Sequence, residues 1–415
     1  MTAPGAPRLA RDLASLTALL EREGWAERPV AVLDLDALDA NATDLERRAG
    51  GTGRAAGTAL RIASKSLRVR ALLDRVLARP GWAGILAYTL PEALWLVEHG
   101  ARDVVVAYPT AERGALRRLA ASPEALAAIT LMVDETAHLD LILDATADLR
   151  PRPSGARIRL ALELDVSYAP LPGVRFGALR SPLRSAAQAR ALAEQITARP
   201  DLQLVGMMAY EGHVAGVTDA ARTPYGAAVR TMKRLAIPDI AARRAEAVAA
   251  VSEIVPLEFV NGGGTGSVSS TAAESAVTEI AAGSGLIGPG LFDRYRDFSP
   301  QPALHLGVSV VRRPAPQVAT LLGGGWVASG VPGADRLPTI DHPVGLAFAP
   351  QEAAGEVQTP VVGPAAEHLR VGDTVWLRHA KAGEPAEHVT HYVLVAGDAI
   401  VGTAPTYRGE GAAFL

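Results

Sequence analysis

The sequence predicts an α/β protein in which a (β/α)8 TIM-type barrel is followed by a mainly antiparallel β domain. Short aliphatic runs alternate with Ala-, Leu- and Arg-rich helical stretches over roughly the first 290 residues. Eight of these runs are almost continuously apolar, as are strands that are buried on both faces of a parallel sheet. After about Leu291 the helical pattern fades, and short strands alternate with Gly/Pro turns.

The eight barrel strands recur at the spacing of βα units. They are predicted at residues 60–64, 84–88, 104–107, 129–133, 157–165, 204–210, 257–261 and 277–281. A ninth run at 30–35 precedes them, after a helix predicted at about 9–23. Strands at 304–311, 317–322 and 374–378 begin the second domain. We therefore expect a barrel over 26–290, and a β domain formed by 1–25 and 291–415.

Composition restricts the classes of function. The chain has 415 residues and is 49% hydrophobic, which is enough for two well-buried domains. Its net charge of −3 gives no reason to expect binding to nucleic acid or a membrane. The absence of cysteine excludes disulfides, thiolate metal sites and cysteine nucleophiles. Residues 1–8 lack a basic leader and no apolar run reaches the ~20 residues of a bilayer span, so we expect a cytoplasmic protein.

Lysine is rare in this chain, which makes each lysine informative. Of the 41 basic residues only Lys65, Lys233 and Lys381 are lysines, which leaves 38 arginines. An amine can lose its proton and form a Schiff base, whereas a guanidinium cannot. Lys65 ends the first barrel strand, where a barrel presents its catalytic groups. Lys233 lies on a predicted helix and is expected on its solvated face.

Two glycine-rich turns follow the seventh and eighth barrel strands. Gly263, Gly264 and Thr265 lie in the first turn, and Gly283 and Ser284 lie in the second. Glycine lets successive backbone N–H groups converge on an anion, and the hydroxyls add further donors. Barrels often bind phosphate at this position. The two turns together therefore indicate a phosphate site.

An amine and a phosphate site at one barrel mouth suit pyridoxal 5′-phosphate, which we expect as the cofactor, bound through Lys65. Tyr210 or His213, after the sixth strand, is expected to stack on the cofactor ring. Arg175, after the fifth strand, is expected to donate a hydrogen bond to the phenolic oxygen.

These motifs resemble those of the fold-type III pyridoxal-phosphate enzymes, and more narrowly those of the D-threonine aldolase and D-serine dehydratase branch of the alanine racemase-like family. The likeness covers nearly the whole chain. It comprises the segment around Lys65, the Arg-x-Gly at 175–177, the Tyr-x-Gly-His at 210–213 and both glycine-rich turns. The resemblance implies that the run at 30–35 joins the β domain. It also implies a homodimer in which each barrel is capped by the partner's β domain.

The chain departs from this family in two places. The last barrel strand of the family usually reads Arg-Pro-Gly and an aromatic, whereas this chain has Ala281-Ala282-Gly283. Family members also bind a divalent metal through a His and, two residues later, an Asp or Cys. The matching positions here are His379 and Lys381. An ammonium does not ligate a metal at neutral pH, so we expect no metal at this position.

We expect the Lys381 ammonium to take over the metal's electrostatic role beside the substrate's β-hydroxyl, with His379 or Glu384 as the proton carrier. The resemblance implies a lyase that acts on D-configured β-hydroxy amino acids through a Lys65 Schiff base, by retro-aldol cleavage or by dehydration with deamination. An amino-acid racemase or epimerase is the alternative, but its second base is unassigned. A non-catalytic carrier of the cofactor is the third reading. The roughly 120 residues after Leu291, enough for a second domain, argue against it.

Overall fold

The computed structural model describes residues 11–25, 27–50, 58–152, 155–178 and 180–415. Three features of the sequence prediction lie outside these residues: the segment 1–8, the predicted helix start at residue 9 and the predicted domain limit at residue 26. None of the helices within the described ranges combines the length and the apolar character that crossing a membrane requires.

The described strands, numbered in chain order, are β1 Val30–Asp34, β2 Ala59–Ala63, β3 Trp82–Ala87, β4 Val104–Val106, β5 Ile129–Val133, β6 Ile158–Glu163, β7 Tyr168–Leu171, β8 Val174–Phe176, β9 Leu202–Ala209, β10 Phe259–Gly262, β11 Glu279–Ala282, β12 Leu304–Ala315, β13 Val318–Leu322, β14 Thr339–His342, β15 Ala347–Phe348, β16 Gln358–Val362, β17 Thr374–Arg378, β18 His391–Ala396 and β19 Ala399–Pro405.

The described α-helices are α1 Leu13–Arg22, α2 Leu35–Arg48, α3 Arg70–Leu77, α4 Leu90–Glu98, α5 Arg113–Ala121, α6 Pro123–Ala128, α7 Thr136–Ala145, α8 Ala186–Thr197, α9 Gly212–Ala215, α10 Pro224–Ser252, α11 Val268–Ala272 and α12 Ser284–Ile287. Their starts follow from local sequence. Thr223 caps α10 and Pro224 occupies its first turn, while Ser185 and Gln188 form a capping box at α8.

Two compact units divide the chain. One contains the residues up to Asp44, Ser66–Leu72 and Ser284–Ala413, and the other contains Leu45–Lys65, Leu73–Gly283 and Phe414–Leu415. This division does not test the domain limits expected from the sequence, 26–290 and 1–25 with 291–415, which stay predictions.

The second of these units contains a closed parallel barrel, which confirms the predicted fold class. Its strand order is β10-β11-β2-β3-β4-β5-β6-β9, and the ring closes where Ile280 of β11 lies opposite Leu60 of β2. An apolar core fills the barrel, with Ala63 on β2 and Met132 on β5 among its members. Because side chains alternate along a strand, the next inward positions lie at the carboxyl ends of the strands.

The other unit contains a sheet in which β1 is central. The strand order is β15-β16-β13-β12-β1-β18-β19, and β17 pairs with both β12 and β14. β1 runs antiparallel to β12, with Val32 opposite His305, and parallel to β18, with Val32 opposite Val393. All other pairs in this sheet are antiparallel. The sheet confirms the mainly antiparallel β domain.

One expectation about a lysine is wrong. Lys233 is not on a solvated face of α10, because its side chain is buried and its Nζ donates to the Asp219 carboxylate at 3.0 Å. Asp219 belongs to the loop that precedes α10, and the helical pattern alone does not reveal this acceptor. A buried cation is stable when such a carboxylate accompanies it.

Candidate active site

Lys65 lies at the carboxyl end of β2, in a single 3-10 turn formed by Ser64–Ser66. Its side chain is exposed at this strand end. The amine Nζ donates a hydrogen bond to the Tyr108 hydroxyl at 2.7 Å and lies 5.4 Å from the centre of the Tyr108 ring. Tyr108 follows β4, so two strand ends of the barrel meet in this pair.

Arg180 extends these contacts across the barrel. Its guanidinium carbon lies 5.7 Å from the centre of the Tyr108 ring and 6.0 Å from the centre of the Tyr210 ring, both within the range of cation–π attraction. Tyr210 in turn borders the first glycine-rich turn, since a Cβ placed on Gly264 would lie 3.2 Å from Tyr210 Cε2. We call Lys65, Tyr108, Arg180, Tyr210 and Gly264 the mouth row.

Tyr210 is partly buried at the end of β9. Burial, followed by the nearby Glu211 carboxylate, raises the pKa of the Tyr210 phenol to about 12. The phenol is therefore neutral at physiological pH, and it presents an uncharged aromatic face to the barrel mouth. This agrees with the expected stacking role, which stays a prediction.

The turn after β10 is closely fixed by hydrogen bonds. Gly263 has φ of +80°, and its N–H donates to the Glu211 carboxylate at 3.1 Å. The N–H of Gly264 donates to the Ser267 hydroxyl oxygen at 3.1 Å, and Arg48 donates to the Thr265 carbonyl at 2.7 Å. A Cβ on Gly263 would lie 2.6 Å from Ile280, so this position requires glycine in both conformation and space.

The second glycine-rich turn follows β11, where Gly283 is buried and Ser284 is partly buried. The Ser284 hydroxyl lies 3.1 Å from the hydroxyl of Ser66, which is itself buried. The turn after β2 therefore contributes a second hydroxyl, that of Ser66, beside the one expected from the sequence.

His213 is buried on α9, and its two ring nitrogens make no hydrogen bond to any described residue. Burial lowers the pKa of this imidazole below its usual value. A neutral imidazole can stack on an aromatic ring as Tyr210 can. Tyr210 has contacts that connect it to the mouth row, which favours Tyr210 of the two candidates.

Arg175 has a different partner from the one expected. It lies on β8, and its guanidinium forms an ion pair with the buried Asp165 carboxylate. Asp165 also accepts the Ser167 N–H at 2.7 Å, so this carboxylate holds the start of the β7–β8 hairpin. The bond from Arg175 to a cofactor oxygen stays a prediction, while Arg180 is the arginine that contacts Tyr108 and Tyr210.

A buried acidic pair occupies the ends of β5 and β6. Asp134 and Glu163 are both almost fully buried. Burial and the neighbouring Asp134 raise the pKa of Glu163 to about 7, although Arg180 opposes this shift. A pKa near neutral pH favours proton exchange by this carboxyl group.

The candidates in the β domain lie in the other unit. The backbone of Ser329 joins two of them, because Lys381 Nζ donates to its carbonyl at 3.1 Å and Glu384 accepts its N–H at 3.0 Å. His379 is buried, and burial with the Arg378 cation lowers its pKa to about 3. Its ring is neutral at pH 7 and a weak base, so the pKa gives no support to a proton-carrying role for His379.

Four residues of the barrel were not singled out by the sequence: Tyr108, Glu163, Arg180 and Glu211. Tyr108 and Glu163 stand at the ends of predicted strands, so the rule that found Lys65 applies to them equally. Glu211 directly follows the predicted strand at 204–210, so the same rule applies to it. Arg180 carries no comparable signal, because its contacts join residues that are far apart in the chain.

Comparison with known proteins gives the same fold and family. The family model described as alanine racemase, N-terminal domain, matches residues 33–288. A 3-hydroxy-D-aspartate aldolase of Paracoccus denitrificans (strain Pd 1222) is 27% identical over 280 residues. That match covers 66% of this chain and 63% of the relative, so it spans less than two thirds of the relative's length.

Solved structures resemble the chain over more of its length. The D-threonine aldolase of Filomicrobium marinum has a TM-score of 0.75 at 20% identity, over 92% of this chain and 95% of that one. The D-threo-3-hydroxyaspartate dehydratase of Delftia sp. HT23 has a TM-score of 0.65 at 19% identity, over 92% and 97%. At such identities the likeness shows the fold. Because the family model covers more than half of the sequence, the chain belongs to the alanine racemase N-terminal domain family.

Proposed function

We propose that this protein is a pyridoxal 5′-phosphate-dependent lyase that acts on D-configured β-hydroxy amino acids. The mouth row is the observation that carries the proposal, because it connects the Lys65 amine to the glycine-rich turn through Tyr108, Arg180 and Tyr210. The relatives support the reaction class, since their names are those of an aldolase and a dehydratase of hydroxy amino acids.

The residues present fit the cofactor. Lys65 supplies an amine at a strand end, and the turn residues Gly263, Gly264 and Thr265 lie beyond Tyr210, where a side chain on Gly264 would fill the available space. The Gly263 and Gly264 N–H groups donate to Glu211 and Ser267, so these two glycines would serve the phosphate by leaving room for it rather than by donating to it. Gly283 and Ser284 would complete the phosphate site, and Tyr210 would face the ring. Pyridoxal phosphate, when bound, withdraws electrons from the substrate's Cα and so stabilises negative charge there.

The protein's own groups define the polarity of the mouth. Tyr108 accepts a hydrogen bond from Lys65 and thereby orients the amine. Arg180 is exposed between two tyrosine rings, where a guanidinium can bind a carboxylate through two parallel hydrogen bonds. We assign Arg180 to the α-carboxylate of the substrate. Glu163, whose pKa is about 7, is then available to accept or donate a proton.

Lys381 and Glu384 are proposed to act at the β-hydroxyl, where the ammonium replaces the charge that a metal supplies in the related enzymes. In this proposal Glu384 carries the proton, and His379 is a neutral neighbour of the two residues. We also propose a cytoplasmic homodimer in which the β domain of each subunit completes the site of its partner, without nucleic-acid or membrane ligands. The net charge of −3 is consistent with this.

The decisive experiment is product identification with D-threonine and with D-3-hydroxyaspartate. Cleavage of Cα–Cβ would convert D-threonine into glycine and acetaldehyde, whereas loss of the β-hydroxyl would give 2-oxobutyrate and ammonia. The corresponding products of D-3-hydroxyaspartate are glycine with glyoxylate, and oxaloacetate with ammonia. We expect one of these two product sets from both substrates.

Two controls connect the products to the proposed site. Lys65→Ala should abolish turnover, because no other amine stands in the mouth row. Lys233→Ala removes a buried amine of the same unit and should leave the products unchanged. Formation of L-allo-threonine, the Cα epimer of D-threonine, would favour a racemase or epimerase instead. A visible cofactor spectrum that no D-amino acid perturbs would favour a carrier protein.

A further inference from the structure

Glu211 is a charged residue for which the proposed chemistry gives no role. It follows Tyr210 at the end of β9, and its side chain is almost completely buried. A buried carboxylate is costly unless each oxygen is satisfied. Its neighbours lower the pKa of Glu211 below the usual value, chiefly the Arg244 guanidinium and the Thr271 and Ser267 hydroxyls, although burial acts in the opposite direction. The group is therefore an anion at neutral pH.

The partners of this anion belong mostly to one turn. Glu211 accepts hydrogen bonds from the Gly263 N–H at 3.1 Å, from the Ser267 hydroxyl at 2.7 Å and from the Thr271 hydroxyl. Ser267 then accepts the Gly264 N–H at 3.1 Å. One carboxylate thus holds both ends of the glycine-rich turn, and it reaches Gly264 through a single intermediate hydroxyl.

Arg244 balances the charge of Glu211. It is fully buried on α10 and donates to Glu211 at 2.9 Å, to the Ala209 carbonyl at 2.8 Å and to Glu274. The cluster therefore contains one cation and two carboxylates. Such a cluster does not attract a phosphate by its charge. Its effect on the turn is geometric, because it fixes the backbone before any ligand arrives.

We propose that Glu211 is a positioning residue that preforms the glycine-rich turn as an anion site, and that phosphate affinity depends on it although its own charge repels a phosphate. This inference rests on the proposed function, since it takes the cofactor's phosphate to be the anion. It deepens that function by assigning the affinity for the phosphate group to a residue that does not touch it.

Charge and preorganisation predict opposite signs for Glu211→Gln. Removal of a nearby negative charge would strengthen the binding of an anion. Glutamine keeps one acceptor oxygen and has an NH2 group in place of the other. Because the Gly263 N–H and the Ser267 hydroxyl donate to different oxygens of Glu211, one of the two loses its acceptor, which loosens the turn and weakens binding. An unmet buried donor typically changes an equilibrium by about tenfold or more.

The test compares two ligands that differ only in the phosphate. Dissociation constants of pyridoxal phosphate and of pyridoxal are measured on the cofactor-depleted full-length chain, from the absorbance of the Schiff base. We expect Glu211→Gln to reduce the preference for the phosphorylated ligand by about tenfold, with the pyridoxal constant nearly unchanged. An unchanged or increased preference for pyridoxal phosphate would overturn the proposal.

The matched control is Glu46→Gln. Glu46 is also a buried carboxylate with an arginine partner, Arg79 at 2.7 Å, and it accepts a further bond from Trp82 at 2.9 Å. Neither contact involves the glycine-rich turn, so the ligand preference should stay at the wild-type value even if stability falls. An equal loss of preference in this variant would show a general effect of destabilisation and would also overturn the proposal.

Two further outcomes separate this inference from the proposed function. If Glu211→Gln does not fold, Ser267→Ala provides the test, because it removes the hydroxyl that accepts from Gly264 and keeps the Glu211 carboxylate. This variant should lower the preference for pyridoxal phosphate by a smaller factor. If the wild-type chain itself binds pyridoxal as tightly as pyridoxal phosphate, the proposed function fails at the cofactor. If the wild type prefers pyridoxal phosphate and both Glu211→Gln and Ser267→Ala keep that preference, the role of Glu211 is contradicted while the proposed function stands.

Discussion

The barrel raises the pKa of the Glu163 carboxyl group, and this shift affects the stability of the fold. Burial, with Asp134 beside it, raises its pKa to about 7, whereas an unfolded chain would release the proton near pH 4.5. Between these two values the folded protein holds a proton that the unfolded chain has lost. Stability therefore falls as the pH rises through this window, which is the reverse of the usual behaviour of a carboxyl group in a folded protein.

Glu163→Gln should accordingly change the pH dependence of stability. An amide cannot ionise, so the variant should gain up to about 3 kcal/mol over the wild type at pH 8 and almost nothing below pH 4.5. Urea denaturation midpoints measured at pH 4.5, 6 and 8 will check this. Glu194→Gln removes an exposed carboxylate and should reproduce the wild-type profile. Parallel profiles for wild type and Glu163→Gln would contradict the shifted ionisation.

At the scale of elements, the turns after β10 and between β7 and β8 contain two glycines with the same backbone angle. Gly263 and Gly173 both have φ of +80°. A side chain at Gly263 would meet Ile280 at 2.6 Å, whereas one at Gly173 would have no heavy atom within 4 Å. The pair therefore separates the cost of the backbone angle from the cost of the contact.

We expect Gly173→Ala to cost about 1–2 kcal/mol, which is the usual penalty for an L-residue in the left-handed region. Gly263→Ala should cost about 1–3 kcal/mol more, because the added methyl group overpacks the turn. Free energies of unfolding from urea titrations will measure both. Equal losses would mean that the turn after β10 accommodates the methyl group by relaxing.

The strands illustrate what a sequence reveals at this scale. All eight barrel strands lie within a few residues of their predicted positions, because buried parallel strands have a continuous apolar pattern. Lys65 is also recognisable, since a strand end is a property of local sequence. Its bond to Tyr108 is not, because that contact joins residues 43 apart. For the same reason the buried partner of Lys233 and the ion pair of Arg175 escaped prediction.

At the scale of the molecule, the proposed dimer makes a prediction that one subunit alone does not. If each site combines the barrel of one subunit with the β domain of its partner, two different inactive variants can complement each other. Lys65→Ala affects the barrel and Lys381→Met affects the β domain. A hybrid dimer would contain one doubly damaged site and one intact site.

After unfolding and refolding a mixture of equal amounts of these two variants, we expect about a quarter of the wild-type activity, because half of the dimers are hybrids and each has one intact site. Neither variant refolded alone should show this activity. Continued inactivity of the mixture, with sedimentation showing dimers, would mean that each subunit supplies both residues to its own site.

The central place of β1 also affects how the protein is made. This apolar strand leaves the ribosome before both of its neighbours, β12 and β18, which lie about 270 and 360 residues later in the chain. At synthesis rates of 5–20 residues per second, β1 waits roughly 20–70 s for its last neighbour. Until β12 is made, both edges of β1 are unpaired, and one edge stays unpaired until β18 is made, so the strand can pair with other chains. We therefore expect slowed synthesis or crowded expression to favour aggregation at this strand.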